Sequence, residues 1–506
     1  MLSRTYSLGI FGIEAHLVEI EVDIQKGLPS CTIVGLPDSI IKESRERIRS
    51  AIENTEFEFP PKNFIINLAP AGFKKEGSNF DLPIAISLLS VTGQMDFSLD
   101  KIPLVGELSL DGTVKPVKGI ISMAITVLQK GFSAFIVPHE NRFEAAAIEE
   151  LDIYPVKHLR DVCNVFSNKV SPFKGSRKNT SHVSVYDFKN IRGQEMAKRA
   201  LEIAAAGNHN IMLYGAPGSG KTLLAKSVAS ILPELTRERA LETTMIHSVS
   251  GKLLTEDGLI YTPPFRAPHH TSSDASLVGG GSVPTVGEVT LAHNGILFLD
   301  EFVEFKNNVI QALRQPIEEK TVLISRVSGV YQFPSDFMLI AASNPCQCGY
   351  LFDENIYCCC NPGKVRGYFQ KISGPIIDRI DLEVLVNRVP SKELLYRKTA
   401  ESSEKIKARV LKARKIQQKR YYNTKIINNA SMSNNDVDLY CKLNPEVKDI
   451  IEMALKRLFI SARSYYKILK VSRTIADLDN SESIEKKHIL EALSYKNLQK
   501  NYQFLL

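Results

Sequence analysis

The chain has 506 residues, 44% of them apolar and 24% charged, with a formal net charge of only +7. That length points to roughly three domains and the composition to a folded globular protein. The small net charge excludes binding of nucleic acid by bulk positive charge, so any such affinity has to come from local patches. No run of apolar residues is long enough for a membrane helix, and Met1-Leu2-Ser3-Arg4 opens no signal-type apolar segment, so the expectation is a cytoplasmic protein without membrane contact. Eight cysteines in such a chain argue for thiols or a metal site, not a disulfide framework.

Residues 1–168 read as one α+β domain. Val18, Ile20, Val22 and Ile24 alternate with Glu19, Glu21 and Asp23, the pattern of a half-buried strand. Residues 39–54 space their apolar side chains as a helix does, and 63–68 form a short buried strand. Asp81 is expected to cap the helix that carries Ile84, Ile86 and Leu89. Residues 104–117 suit a hairpin around Asp111-Gly112, followed by a helix ending near Gly131 and a strand at Phe135-Ile136-Val137. Residues 169–185 are polar and poor in apolar side chains, the best linker in the chain. A second domain is expected over 186–389, and a helical one over 390–506.

The second domain carries the most specific signal. Gly215, Ala216, Pro217, Gly218, Ser219, Gly220, Lys221 and Thr222 spell a complete phosphate-binding loop between the apolar run Ile211-Met212-Leu213-Tyr214 and a helix-like run from Leu223. Its glycines let backbone N–H groups converge on a phosphate, and the helix N-terminus adds positive potential. Lys221 is placed to reach the β- and γ-phosphates of ATP, and Thr222 to hold Mg²⁺. Farther on, Ile296-Leu297-Phe298-Leu299 reads as a buried parallel strand ending in Asp300 and Glu301. Asp300 suits Mg²⁺, and Glu301 suits polarising the attacking water, since phosphoryl transfer depends on positioning more than on covalent chemistry. About 80 residues separate loop and carboxylates, more than one βαβ unit needs. His269 and His270 are adjacent and cannot face one metal together; they read as loop or packing residues, otherwise as pore contacts.

Two arms, Cys346-x-Cys348 and Cys358-x-Cys360, offer four thiolates to a tetrahedral Zn²⁺. Cys359 is an alternative ligand, and reduced unliganded thiols are the alternative to zinc. Between residues 405 and 425 stand Lys405, Lys407, Arg409, Lys412, Arg414, Lys415, Lys419, Arg420 and Lys425 with no acid among them; this is either a solvated helix face or a set of phosphate contacts.

Three further segments resemble parts of AAA+ ATPases. Asn344, at the end of the apolar run from Leu339, resembles the polar residue that orients the attacking water. The segment 372–381, with Arg379, resembles the arginine-finger segment of the magnesium-chelatase and MCM branch. Ser461-Ala462-Arg463 resembles the start of the lid helix that bears the sensor-2 arginine. A finger arginine lacks a phosphate unless a neighbour supplies one, so Arg379 acting in trans requires an oligomer. The hairpin expected from Thr321-Val322-Leu323-Ile324-Ser325-Arg326 and Gly329-Val330-Tyr331-Gln332-Phe333 matches the pre-sensor hairpin of that branch. Lys320 and Arg326 are then its basic tips toward DNA; otherwise it is an ordinary solvent-facing hairpin.

Over nearly its whole length the chain resembles the ComM/YifB family of magnesium-chelatase-like AAA+ proteins. The matching stretches include Val34-Gly35-Leu36-Pro37-Asp38, Asn67-Leu68-Ala69-Pro70, Pro264-Phe265-Arg266-Ala267-Pro268-His269-His270 and Arg473-Thr474-Ile475-Ala476-Asp477-Leu478. The resemblance implies an α+β N-terminal domain of the ribosomal-S5/Lon-protease-like type, then an α/β AAA+ P-loop ATPase with a helical C-terminal lid. It implies a hexameric, ATP-driven DNA motor of the branch-migration helicase type, acting on branched, single- or double-stranded DNA by structure, in homologous recombination and natural transformation. The alternative is a magnesium-chelatase-like ATPase chaperone acting on a protein partner. At the positions of the Lon nucleophile and its lysine stand Asn79 and, nearby, Ile121. Neither an amide nor an alkyl chain builds a Ser–Lys dyad, so no proteolysis is expected.

Overall fold

The computed structural model describes residues 2–95, 102–167, 169–175, 186–253, 258–281, 285–326, 329–353, 356–372, 376–390, 400–458 and 460–496. Residues 176–185 of the expected linker and 373–375 of the expected finger segment lie outside them. Contacts divide the chain into two compact units. The first joins Met1–Ser181 with Thr236–Tyr261 and Leu323–Phe333; the second joins His182–Leu235, Thr262–Val322 and Pro334–Leu506.

In the first unit, β1 (Leu2–Phe11), β2 (Glu14–Gln25), β3 (Ser30–Val34) and β4 (Asn63–Ala69) form a mixed sheet in the order β1-β2-β4-β3. The alternation expected around Val18 is present: Val18, Ile20 and Val22 are fully buried, and β2 pairs antiparallel with both neighbours. Helices Ser39–Glu53 and Asp81–Val91 contribute to one core with Ile41, Ile48, Ile84 and Leu88. Each such side chain withdrawn from water is worth about 1.5–3 kcal/mol.

The Asp81 cap is corrected. Phe80 holds the N-cap position and no side chain caps the helix. Asp81 is instead buried, accepts from Arg47 at 3.0 and 3.2 Å, and accepts the Leu108 N–H at 3.3 Å. A buried carboxylate goes to the cation that compensates its desolvation, and here that cation lies 34 residues away.

The expected hairpin is short: β5 (Glu107–Leu108) pairs with β6 (Val114–Lys115), and Asp111 accepts the Thr113 N–H at 3.0 Å to close the turn. Helix Ile120–Gln129 precedes β7 (Ala134–Pro138), which pairs parallel with β8 (Asp152–Val156). Helix Arg237–Val249 also belongs to this unit, with Leu241 and Met245 packed on the cluster of Ile120, Met123 and Val127.

The second unit is built on β9 (Ile211–Tyr214), β10 (Phe265–Arg266), β13 (Ile296–Leu299), β16 (Met338–Ser343) and β17 (Leu382–Leu385). They pair in parallel in the order β10-β13-β16-β9-β17. Of the intervening strands, β11 (Gly279–Gly280) pairs with β12 (Thr285–Val286); β14 (Thr321–Arg326) pairs with β15 (Gly329–Pro334), a hairpin whose residues Leu323–Phe333 belong to the first unit. The residues of β9 and β13 are fully or almost fully buried, as apolar strands covered on both faces must be. Their core includes Leu201, Leu213, Ile340, Val384, Val410 and Ile475, and so draws on helices Glu195–Gly207, Ser403–Arg420 and Ala462–Leu478. A second apolar cluster in the helical C-terminal region gathers Met432, Val437, Leu469 and Ile489.

Two basic features resolve differently from the sequence reading. Lys320 is not at a hairpin tip. It ends helix Arg314–Glu319 in a left-handed conformation, one residue before β14 begins, and its amine meets Asp336 at 3.1 Å. Arg326 alone lies at the turn end of β14, exposed. On helix Ser403–Arg420 the arginines turn inward. Arg409 bonds Glu202 and Glu401, Arg414 donates to the Ala205 carbonyl at 2.8 Å, and Arg420 donates to Asp477 at 2.9 Å. Lys405, Lys412, Lys415 and Lys419 face solvent. Among the described residues no helix is long and apolar enough to cross a membrane.

Candidate functional site

Strands β9, β13 and β16 are adjacent and parallel, so the residues just past their C-terminal ends meet at one edge of the sheet, where open α/β sheets bind ligands. Those residues are the loop 215–222, Asp300-Glu301 and Asn344. Gly218 and Gly220 have φ of 76° and 93°, and nothing lies within 4 Å of the space a Cβ would fill at either. Glycine is required there both for conformation and to leave the backbone approachable. Gly220 precedes helix Lys221–Ser227, whose N-terminus thus opens on the loop.

Lys221 is largely buried. Its amine donates to the carbonyls of Gly215 at 2.7 Å and Ala216 at 3.0 Å and to Oδ1 of Asn344 at 3.2 Å. Burial lowers its pKa, and the Asp300 and Glu301 carboxylates act the other way. Thr222 Oγ1 donates to Asp300 Oδ2 at 2.6 Å. A hydroxyl and a carboxylate side by side in that way are hard oxygen donors suited to Mg²⁺. Glu301 sits in a left-handed conformation, φ 51°, with its side chain 56% exposed. His270 Nδ1 lies 3.2 Å from Glu301 Oε2, and the His269 ring lies 4.2 Å from that of His270.

A cavity of about 330 Å³ adjoins the start of the loop, lined among others by Gln194, Ala216, Gly349, Phe352, Asp353 and Arg388. Gln194, itself left-handed at φ 61°, donates to the Ser219 carbonyl at 3.3 Å.

Arg379 and Arg463 stand together elsewhere in the same unit. Both bond Oε1 of Glu318, Arg463 at 2.7 Å, and these two contacts hold the Glu318 carboxyl below its ordinary range. Ser461 caps the helix that presents Arg463. The cavity they line, about 600 Å³, includes Lys467 and Lys470 and none of residues 215–222. The protein thus gathers Lys221, Thr222, Asp300 and Asn344 at one place, with Glu301 beside them, and the two arginines at another.

The thiols of Cys346, Cys348, Cys358 and Cys360 all lie within 4.8 Å of one another. Three of the separations are 3.3, 3.7 and 3.5 Å. A zinc tetrahedron with bonds of about 2.3 Å has S–S edges of about 3.8 Å, so the donor set fits Zn²⁺. Cys359 is exposed and outside the group. Against the effect of burial, the Tyr350 N–H and the neighbouring thiols draw the Cys348 thiol below its ordinary range. In the first unit, Asn79 Nδ2 donates to the Leu8 carbonyl at 2.5 Å, and Ile121 is fully buried in the core.

Glu318, Gln194 and Arg388 carry no site signal in the sequence, and His270 reads there only as a loop or packing residue, otherwise a pore contact. The signal for His270 was its place in the stretch from Pro264. Its meaning needed the pairing of the two-residue strand β10 with β13, which sends both chains toward the same edge.

The family model described as magnesium chelatase, subunit ChlI, matches residues 187–394; that for subunit ChlI of Mg-chelatase matches 20–141, and that for the ChlI C-terminal region 400–496. The chain is 40% identical to competence protein ComM of Haemophilus influenzae over 100% of its own length and 99% of that protein. It is 39% identical to the uncharacterized protein YifB of Escherichia coli over 99% and 98% of the two chains. Similarity to the magnesium-chelatase 67 kDa subunit of Chlorobaculum parvum is narrower, 28% identity over 31% of this chain and 23% of that one. Full-length likeness of that order, over a parallel sheet that brings a phosphate loop against Asp300 and Asn344, makes the chain a member of the ComM/YifB family of magnesium-chelatase-like AAA ATPases.

Proposed function

We propose that the protein is an oligomeric, ATP-driven motor that moves branch points in DNA. The observation that carries the ATPase part is the meeting of Lys221, Thr222, Asp300 and Asn344 at the ends of three adjacent parallel strands. In this reading the loop 215–222 cradles the phosphates, and Thr222 and Asp300 hold Mg²⁺. Asn344 fixes Lys221 and the γ-phosphate region, and Glu301 orients water. The cavity beside Ala216 takes the nucleoside end of ATP.

Arg379 and Arg463 act on the nucleotide of a neighbouring subunit, a reading supported by their pairing on Glu318 in a cavity that no phosphate-loop residue lines. A ring of subunits, a hexamer by family resemblance, is then part of the active site. The cysteine cluster holds Zn²⁺. The N-terminal unit serves as a Lon-like scaffold without peptidase activity, since Asn79 is spent on a backbone carbonyl and Ile121 is core.

DNA as the substrate is supported by the competence protein among the full-length relatives and by the solvent-facing lysines of helix Ser403–Arg420 and Arg326. The test supplies a labelled three- or four-way junction with ATP and Mg²⁺ and follows branch movement on a gel. Hydrolysis without binding or movement of any branched DNA, together with stimulation by a metallochelatase partner, would favour the second reading, an ATPase chaperone for a protein. The three ChlI-type matches support that alternative.

A further inference from the structure

Residues 349–353, which follow the first cysteine arm, pack beside the phosphate loop. Gly349, one residue past Cys348, has φ +84°, and a Cβ there would come within 2.5 Å of Cδ of Pro217. Tyr350 lies under the Arg388 guanidinium at 5.3 Å from its ring centre. Asp353, with a side chain only 3% exposed, pairs with Arg388 at 3.1 Å. Arg388 also donates to the Pro217 carbonyl at 3.5 Å. Gly349, Phe352 and Asp353 line the cavity beside Ala216.

We infer that the metal-bound cysteine loop is a wall of the nucleotide pocket, and that Asp353 and Tyr350 are positioning residues that set Arg388 and Pro217 for ATP. The inference rests on the nucleotide reading of that cavity. The physical reason is entropic. Four thiols tied to one ion close the loop between Cys348 and Cys358 before any ATP arrives. Without the ion, the cost of ordering that loop falls on ATP binding. The buried Asp353 carboxylate needs the Arg388 cation, so the wall and the guanidinium move as one. A zinc site here therefore links metal content to ATP affinity, and only through affinity to turnover.

The test measures the dissociation constant of a fluorescent ATP analogue, with Mg²⁺ held constant. The samples are the full-length protein as isolated, after chelator treatment and dialysis, and after return of Zn²⁺, each with its far-UV circular dichroism. Metal removal should weaken binding about tenfold, the cost of ordering about one residue's backbone, and Zn²⁺ should restore it. Asp353→Ala should keep its zinc, measured by elemental analysis, and still bind the analogue about tenfold more weakly. Gly349→Ala should do likewise by displacing Pro217. Unchanged affinity in metal-free protein of native dichroism overturns the proposal, as does unchanged affinity in both variants. If the untreated protein binds no ATP analogue at all, the nucleotide reading itself falls, which separates that failure from the first.

Discussion

The imidazole of His270 points Nδ1 at Oε2 of Glu301 from 3.2 Å away. Glu301 is otherwise open to solvent, in a left-handed backbone conformation that follows directly on Asp300. If Glu301 orients water as proposed, His270 is placed to fix its carboxylate. Glu301→Gln should bind ATP and hydrolyse it about 10²–10⁴ times more slowly. His270→Ala should lower kcat with little change in KM for ATP, and His270→Asn, which keeps a donor, should recover part of the loss. Steady-state ATPase kinetics check all three; wild-type kcat in His270→Ala would show that the contact has no part in turnover.

Arg379 and Arg463 share Glu318, apart from the loop residues of their own chain. Either variant, Arg379→Ala or Lys221→Ala, should be inactive alone, Arg379→Ala by about 10³-fold or more. Mixed subunits should regain activity, because an intact arginine face then meets an intact phosphate loop. ATPase assays over a range of mixing ratios, with assembly followed by light scattering, decide the matter; inactivity at every ratio despite mixed assemblies would refute action in trans.

Two groups of lysines should separate in DNA binding. Lys412, Lys415 and Lys419 face solvent on one helix, whereas Lys320 is tied to Asp336. Replacing the first three with alanine should flatten the slope of log K against log salt by roughly 0.9 per contact on duplex DNA. Lys320→Ala should leave that slope unchanged. Fluorescence anisotropy on a junction at several salt concentrations reads both.

The cysteine geometry predicts about one Zn²⁺ per chain. Cys359→Ser should retain it, since Cys359 lies outside the group of four, and Cys358→Ser should lose it. Elemental analysis of reduced, purified protein checks this, and zinc lost from Cys359→Ser would reassign the ligands.

The sequence made legible what depends on neighbours along the chain. The strand, glycine loop and helix at 211–227, the buried strand ahead of Asp300 and the helix start at Ser461 are all local patterns, and each forms where its residues call for it. What failed depended on partners far along the chain. Asp81 looked like a cap until Arg47 claimed it across 34 residues. Lys320 looked like a hairpin tip, but Asp336 and a left-handed helix end hold it at the base. Arg409, Arg414 and Arg420 read as one basic stripe with their lysine neighbours, and only the fold reveals that Glu202, Ala205 and Asp477 take them inward.

The first unit also has a history on the ribosome. Leu241 and Met245 complete its apolar cluster, and Ser248 donates to the buried carboxylate of Glu144, which also accepts the Ile121 N–H at 2.9 Å. Those residues are made after the phosphate loop, and the last stretch of the unit, Leu323–Phe333, after Asp300. Domains usually fold in the order in which they emerge. Here the N-terminal unit gains Leu241, Met245 and the Ser248 partner of Glu144 only once β9 and helix Arg237–Val249 have been translated, and its last stretch, Leu323–Phe333, only after β13.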